Sequence, residues 1–263
     1  MGLVLVFFLG FFLAGGRDVL RPETLTRVTG WLSAPAPVEG SDKAAAPAAS
    51  SPLADAAVRC HRLIFLPEAV NARVPAEHFV PVSRMPNRLT EAIVAVEDSR
   101  FYQHPGFDIE AIARAALVNI RSGEIEEGAS TITQQLVKNL FLTPDRTFDR
   151  KAEELALALD FEARYSKNEI LALYLNTIYF GSGFYGIYDA AHGYFGKEPS
   201  ALSLPEAAML AGLPNAPSLY SPYEDFLMAK RRQFVVLDAM VRAGYIDERT
   251  ATEAKIAPIY LVH

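Results

Sequence analysis

Three helix-start signals of one kind lie in the second half of the chain, and they constrain its fold more than any other feature. In each, a hydroxyl residue lies three positions before a glutamine or glutamate, the spacing at which both side chains bond unpaired N–H groups of a first helical turn. The three pairs are Thr131 with Gln134, Ser166 with Glu169, and Ser203 with Glu206. A helical apolar stripe precedes them, at Leu89, Ala92, Ile93 and Val96, and no clear strand alternation follows. The sequence therefore predicts a mainly α fold.

Proline and glycine mark the places where this helical pattern breaks. Residues 62–83 carry short apolar runs interrupted by Pro67, Pro75 and Pro81, which predicts extended or edge-strand structure there. Further along, loop and turn signals occur at Gly181, Gly183, Gly186 and the Pro-Asn-Ala-Pro run at 214–217.

Composition limits the class of function. The chain has 263 residues, enough for one large domain or two small ones, and its formal net charge is -6. A general nucleic-acid binder would show a basic excess, so nucleic acid is not an expected partner. Cys60 is the only cysteine, which excludes an internal disulfide.

The first sixteen residues carry no charged side chain and are rich in Phe and Leu, which indicates a membrane segment. Because the run is shorter than the roughly 20 residues that span a bilayer, three interpretations stay open: a short anchor, a cleaved signal, or an anchor whose upstream residues are absent from this chain. A buried core helix is the least favoured alternative. We predict an anchor at 1–16, a stalk and Ala/Pro/Ser-rich linker at 17–58, and a folded domain at 59–263.

The segment Gly128 to Asn139 has the features of a helix start that holds an anion. Thr131, Gln134, Gln135 and Lys138 share one helical face, while Ile132, Leu136 and Leu140 share another. The unpaired amides and partial positive charge of a helix start suit a phosphate, and Lys138 adds a cation. An ordinary capped amphipathic helix explains the same residues equally well.

Glu97 is the candidate general base. On a helical projection from Leu89, Glu97 lies at about 80°, at the border of the buried stripe, whereas Asp98 lies at about 180° and points away. Partial desolvation raises the pKa of a carboxyl group and makes it a better proton acceptor near neutral pH. For Asp98 the residues alone favour a local cap or an ion pair with Arg100, and for His104 a hydrogen bond within a loop.

Arg150, Lys151 and Glu154 share one face of a second predicted helix, with Arg146 just upstream. They form either a solvated ion-pair cluster, which is common, or a cationic cradle for a diphosphate that Lys138 would complete. Between the two constellations, residues 107–120 are largely apolar and would form core or dip into a lipid surface.

Taken together, these segments resemble the peptidoglycan glycosyltransferase family, which comprises monofunctional transglycosylases and the polymerising domain of class A penicillin-binding proteins. The resemblance covers roughly residues 79–258 and rests on five ordered motifs. They are the run from Glu97 to Gly106, Gly128 to Asn139, Arg150 to Glu154, Ser166 to Leu171 with Tyr174-Leu175-Asn176, and Tyr194 to Lys197 with Leu213 to Ser218.

The resemblance implies a lysozyme-like helical lobe with a small membrane-facing jaw between the first two motifs. The domain at 59–263 would polymerise lipid II, joining the growing strand's diphosphate-activated sugar to the 4-hydroxyl of an incoming lipid II with inversion. It would act on the extracytoplasmic side of the bacterial cytoplasmic membrane, held by a single-pass anchor, beside other cell-wall synthesis proteins. The chain leaves no room for a transpeptidase after the domain, so we expect it to be monofunctional unless it is a fragment.

Roles carry over from the motifs as follows. Glu97 would deprotonate the acceptor, and Glu154 would assist near the phosphates, with a Mg²⁺ or Mn²⁺ ion as an open question and no protein metal site predicted. The residues expected to bind substrate are Asp98, Phe101, His104, Thr131, Gln135, Lys138, Arg146, Arg150 and Lys151. Glu153 departs from the lysine frequent at this position in relatives, which puts one phosphate contact in question.

Two rival functions would fit part of the same sequence pattern. A lysozyme-like lytic glycosidase would also use an acidic residue on the same glycan, but it would not need a phosphate-binding motif. A non-catalytic membrane-tethered scaffold is disfavoured because both glutamates and the cations are present.

Overall fold

The computed structural model describes residues 66–74, 76–122, 129–142 and 148–262. Within those ranges there is no strand, only one isolated antiparallel bridge between Tyr179 and Tyr185. The α-helices are α1 Leu66–Asn71, α2 Asn87–Glu97, α3 Ile109–Ser122, α4 Ile132–Phe141, α5 Phe148–Arg164, α6 Lys167–Thr177, α7 Ile187–Phe195, α8 Leu204–Gly212, α9 Pro217–Tyr220, α10 Phe226–Arg242 and α11 Glu248–Ile256. The predicted mainly α fold is confirmed.

The chain divides into two units, residues 1–69 and 70–263, and the elements that build the site belong to the second. The predicted anchor at 1–16 and the linker at 17–58 lie outside the described residues. Among the helices of the described ranges, none combines the length and the apolar character needed to cross a bilayer.

Two groups of helices meet at the site. α2 packs against α8 and α10, and α10 also packs against α11. α4 packs against α5 and α6. Three residues of the predicted apolar stripe of α2, Leu89, Ala92 and Ile93, have no exposed surface, and the fourth, Val96, is partly buried. Burial of such side chains from both helix groups supplies the main stabilisation of the fold.

All three predicted capping boxes form. Thr131, Ser166 and Ser203 begin α4, α6 and α8, and in each box the cap hydroxyl and the third residue's side chain bond the backbone reciprocally. These starts fix where the functional side chains fall on their helices.

The prediction of extended structure over residues 62–83 is wrong at α1 and at the 3₁₀ turn Val82–Arg84, while the backbone of Pro81 is extended. Pro67 lies in the first turn of α1, where a missing N–H costs nothing, and Pro81 precedes a 3₁₀ turn at Val82–Arg84. The backbone of Val80 is held instead by the side-chain amide of Asn176, which accepts from its N–H and donates to its carbonyl, both at 2.8 Å.

The predicted glycine loop is also present. Gly181, Gly183 and Gly186 all have positive φ. At Gly186 a Cβ atom would lie 2.7 Å from the backbone oxygen of Asn176, so the position requires glycine on two counts.

Candidate active site

Glu97 is the last residue of α2, and its side chain is only 8% exposed. Its Oε2 accepts a hydrogen bond of 2.8 Å from Nε2 of Gln135 on α4, and Arg232 of α10 approaches Oε1 at 4.0 Å. Burial raises the pKa of Glu97 above its ordinary 4.5. The Gln135 hydrogen bond and the charges of Arg232 and Lys138 oppose that rise in part. The expectation of a desolvated carboxyl with a raised pKa therefore agrees with the structure.

Glu97 opens into a cleft of about 770 Å³. Lys138 lines the same cleft, so the carboxyl and the amine lie on one side of the molecule. A smaller cleft of about 240 Å³ adjoins it, and the two share Gln135, Lys138 and Pro214. Two grooves that meet beside one carboxylate can hold two substrate molecules around a single reacting centre.

Three arginines of the larger cleft were not predicted from the sequence. They are Arg114 on α3 and Arg232 and Arg242 on α10. One signal could have found Arg232, because it shares a helical face with the buried Val236 and Ala239, and a cation on an apolar face is unusual. With Lys138, these arginines give the cleft four cationic side chains beside the carboxyl groups of Glu97, Asp98 and Asp108.

Asp98 is placed differently from its predicted position. Because α2 ends at Glu97, Asp98 leaves the helical projection and is buried, where it accepts 2.9 Å from Nε2 of His104 and 3.0 Å from the backbone N–H of Ile132. Arg100 does not pair with it but with Asp108, at 3.0 Å. Asp98 therefore links the end of α2 to the start of α4.

The same contact changes the interpretation of the helix start at Ile132. The anion that meets this N-terminus is the chain's own carboxylate, Asp98, rather than an open phosphate position. Thr131 is also engaged, since its hydroxyl accepts from the N–H of Gln134 and donates 2.7 Å to the carbonyl of Gly106. Its role in holding the donor substrate stays a prediction.

Phe101 and His104 lie beside the junction of α2 and α4 that Asp98 forms. Phe101 is completely buried under Nζ of Lys167, which lies 4.4 Å from the ring centroid and donates to the carbonyl of His104. A ring with no exposed surface holds its neighbours in place, and the predicted contact of Phe101 with substrate stays a prediction. Substrate contact by Asp98 and His104 remains a prediction.

The cluster of Arg150, Lys151 and Glu154 is not fully solvated, although the spacing of these residues would allow it. Glu154 of α5 is only 2% exposed, and its two oxygens pair with Lys151 and, at 3.2 Å, with Arg150. These three side chains line neither of the two clefts described above. Arg146 lies outside the described residues.

One group of described side chains has the spacing of a metal site. The potential ligand atoms of Asp98, His104 and Asp108 lie within 4.8 Å of one another. All are engaged in the network above, where Arg100 supplies the positive charge and Asp108 caps α3 through the N–H groups of Glu110 and Ala111. Both carboxyl groups of this cluster are therefore already engaged by groups of the protein.

Comparison with known proteins gives a consistent result. A family model described as Transglycosylase matches residues 68–241. Penicillin-binding protein 1A of Aquifex aeolicus is 48% identical over 69% of this chain, and the chain spans 25% of that relative's length. A candidate transglycosylase of Cupriavidus necator is 43% identical over 74% of this chain and 84% of its own. The crystal structure of penicillin-binding protein 1A from Haemophilus influenzae aligns with a TM-score of 0.43 and 27% identity, over 70% of this chain and 18% of that one.

Proposed function

The chain belongs to the transglycosylase family, and on that premise we propose that it polymerises lipid II into the glycan strands of peptidoglycan. The donor is the growing strand on undecaprenyl diphosphate, and the acceptor is the 4-hydroxyl of an incoming lipid II. The observation that carries the proposal is the desolvated carboxyl of Glu97 in a cleft that it shares with Lys138.

In the proposed step, Glu97 takes the proton of the acceptor hydroxyl. The oxygen of that hydroxyl at the same time forms a bond to C1 of the donor sugar. The bond from C1 to the diphosphate breaks, and its electron pair leaves with the diphosphate, so the configuration at C1 inverts. Oε1 of Glu97 receives no hydrogen bond from a described group, which leaves it for the proton. Because this atom has almost no exposed surface, the acceptor hydroxyl has to displace neighbouring side chains to reach it. A pKa raised by burial favours this transfer.

The charge of the leaving diphosphate requires cations where it develops. Lys138 lies where the two clefts meet, and Arg114, Arg232 and Arg242 line the larger one. Arg146, Arg150 and Lys151 remain part of the proposal as further diphosphate contacts. The smaller cleft carries Tyr179 and Tyr185, whose rings lie 4.7 Å apart and offer an aromatic surface suited to sugars.

Glu154 acts through its ion pairs in this proposal. Both of its oxygens already face cationic side chains, so this donor set does not suit a resident Mg²⁺ or Mn²⁺ ion, and no step is assigned to a metal. Glu154 would hold Arg150 and Lys151 in place for the diphosphate.

We place the reaction at the outer face of the bacterial cytoplasmic membrane. Ile109 and Ile112 of α3 are 69% and 47% exposed, and this helix is the candidate for the membrane-facing jaw. The anchor at 1–16 would hold the domain there, within reach of lipid-linked substrate and of other cell-wall synthesis proteins.

A polymerisation assay tests the proposal directly. The full chain, in detergent or liposomes, is incubated with labelled lipid II, and long glycan strands are the expected product. Degradation of finished peptidoglycan without strand growth would instead identify a lytic glycosidase, for which a carboxyl with a raised pKa would serve as general acid. Parallel reactions with a chelator show whether an ion that travels with the substrate contributes.

Replacing Lys138 by alanine should weaken diphosphate binding. A charge-assisted hydrogen bond is lost, so we expect affinity for undecaprenyl diphosphate to fall roughly ten-fold or more, with a smaller effect on a sugar that lacks the diphosphate. Calorimetry measures both. Lys255→Ala, which removes the same charge from a lysine that pairs with Asp238 and lines neither cleft, is the matched control. Equal affinities for wild type and Lys138→Ala would exclude Lys138 from the diphosphate site.

A further inference from the structure

A line of two hydrogen bonds connects α6, α4 and α2 and ends at Glu97, the proposed base. The hydroxyl of Tyr174 on α6 lies 3.0 Å from Oε1 of Gln135 on α4, and Nε2 of Gln135 lies 2.8 Å from Oε2 of Glu97 at the end of α2. Tyr174 has no exposed surface, although it belongs to the lining of the smaller cleft, and its hydroxyl is linked to Glu97 through Gln135.

Each bond in this line can run in one direction only. An ionised carboxylate accepts and cannot donate, so Gln135 must present its NH₂ group to Glu97. The carbonyl oxygen of Gln135 then faces Tyr174, whose hydroxyl must be the donor. Burial, together with the nearby charges of Glu97 and Asp98, raises the pKa of Tyr174 well above its ordinary 10, so the hydroxyl keeps its proton at neutral pH.

Without that hydroxyl the amide would lose its preferred orientation. The terminal torsion of a glutamine is broad and nearly two-fold, because the two ends of the amide have almost the same shape. A rotated Gln135 would turn its carbonyl oxygen toward Glu97, placing two acceptors against each other. Tyr174 makes this rotated state costly, since it would leave the buried hydroxyl facing an NH₂ group instead of its acceptor.

We propose that Tyr174 is a positioning residue for glycan polymerisation. Its hydroxyl fixes the amide of Gln135 so that Gln135 donates to Oε2 of Glu97 and leaves Oε1 for the proton of the acceptor sugar. This inference rests on the proposed function, and it assigns Gln135 a second task beside holding the donor.

Other ionisable groups also face Glu97. Arg232 approaches from α10, Lys138 from α4, and Asp98 is its neighbour in the chain. α8, which packs against α2, carries one ionisable residue, Glu206, and that carboxyl pairs with Lys197. Among the described residues, the hydroxyl of Tyr174 hydrogen-bonds Gln135 and none of these ionisable groups, so removing that hydroxyl changes the hydrogen-bond line and leaves the charges in place.

The test is Tyr174→Phe in the full chain, assayed with lipid II as a function of pH. A weakened donor to Oε2 raises the pKa of Glu97 further, so the base stays protonated to higher pH. We expect the acid limb of the kcat profile to move to higher pH, with kcat roughly five- to ten-fold lower at neutral pH and KM nearly unchanged.

Two comparisons separate positioning from a general loss of packing. Tyr194→Phe removes another buried tyrosine hydroxyl, one that donates 3.0 Å to the carbonyl of Phe180 and belongs to a residue lining neither cleft, and it should leave the pH profile as in wild type. In a Gln135→Ala background, Tyr174→Phe should cause no further shift of the acid limb, because the hydrogen bonds that connect Tyr174 to Glu97 are already absent. An unchanged acid limb in Tyr174→Phe, or effects that add independently of Gln135, would overturn the inference.

A titration that does not depend on activity keeps this inference distinct from the proposed function. The carboxyl carbon of Glu97, followed by NMR in ¹³C-glutamate-labelled protein, should titrate at higher pH in Tyr174→Phe than in wild type. If wild type makes no glycan strands, the proposed function fails, and this titration still decides whether Tyr174 acts on Glu97.

Discussion

Glu97→Gln is expected to lower the rate of glycan polymerisation by about a thousand-fold or more. The amide has nearly the shape of the carboxyl and can still accept the hydrogen bond from Gln135, but it cannot take a proton from the acceptor hydroxyl. Strand synthesis from labelled lipid II measures the loss. Turnover close to that of wild type in a well-folded variant would remove Glu97 from the role of base.

The same variant should be more stable than wild type at neutral pH. Burial raises the pKa of Glu97 in the folded chain, so the folded state binds this proton more tightly than the unfolded state does. Stability is therefore lost as the pH rises from the ordinary pKa of 4.5 through the raised value. We expect the melting temperature of Glu97→Gln to exceed that of wild type near pH 7 and the difference to vanish below pH 4.5. Opposite changes in activity and stability would mark a residue kept for chemistry at a cost to the fold.

Asp98→Ala has the second large expected effect, on stability. The change leaves the buried imidazole of His104 and the N–H of Ile132 without their acceptor, and we expect a loss of about 3 kcal/mol in the free energy of unfolding. Thermal and denaturant unfolding measure it. Asp98→Asn keeps one carbonyl oxygen and should lose less. A fully stable Asp98→Ala would show that the corner between α2 and α4 is held by other contacts.

Local rules predicted the helical framework well. Each capping box needs only two side chains three residues apart, and each formed where the spacing placed it. The glycine loop followed equally from single residues, because positive φ is a property of one position. Features set by neighbours in the chain can be predicted from the chain alone.

Features set by packing between distant segments could not be predicted in this way. The helical projection of Asp98 assumed that α2 continues past Glu97. The helix instead ends at Glu97, and Asp98 accepts a hydrogen bond from the backbone N–H of Ile132. Arg232 and Arg242 enter the cleft because α10 packs against α2, a contact that no local pattern encodes. The prolines at 67 and 81 were misleading for a related reason, since proline suits the start of a helix as well as an extended segment.

The hydrogen bond between Thr131 and the carbonyl of Gly106 closes a loop at its base. α3 lies in the chain between the two residues of this bond, and Asp98 adds a second contact at Ile132. Because the entropic cost of closing a loop rises only slowly with its length, insertions or deletions between Gly106 and Thr131 should leave Glu97 in place. Arg114 of α3 lines the cleft, so exchanging this helix between homologues would also change the cations that face it.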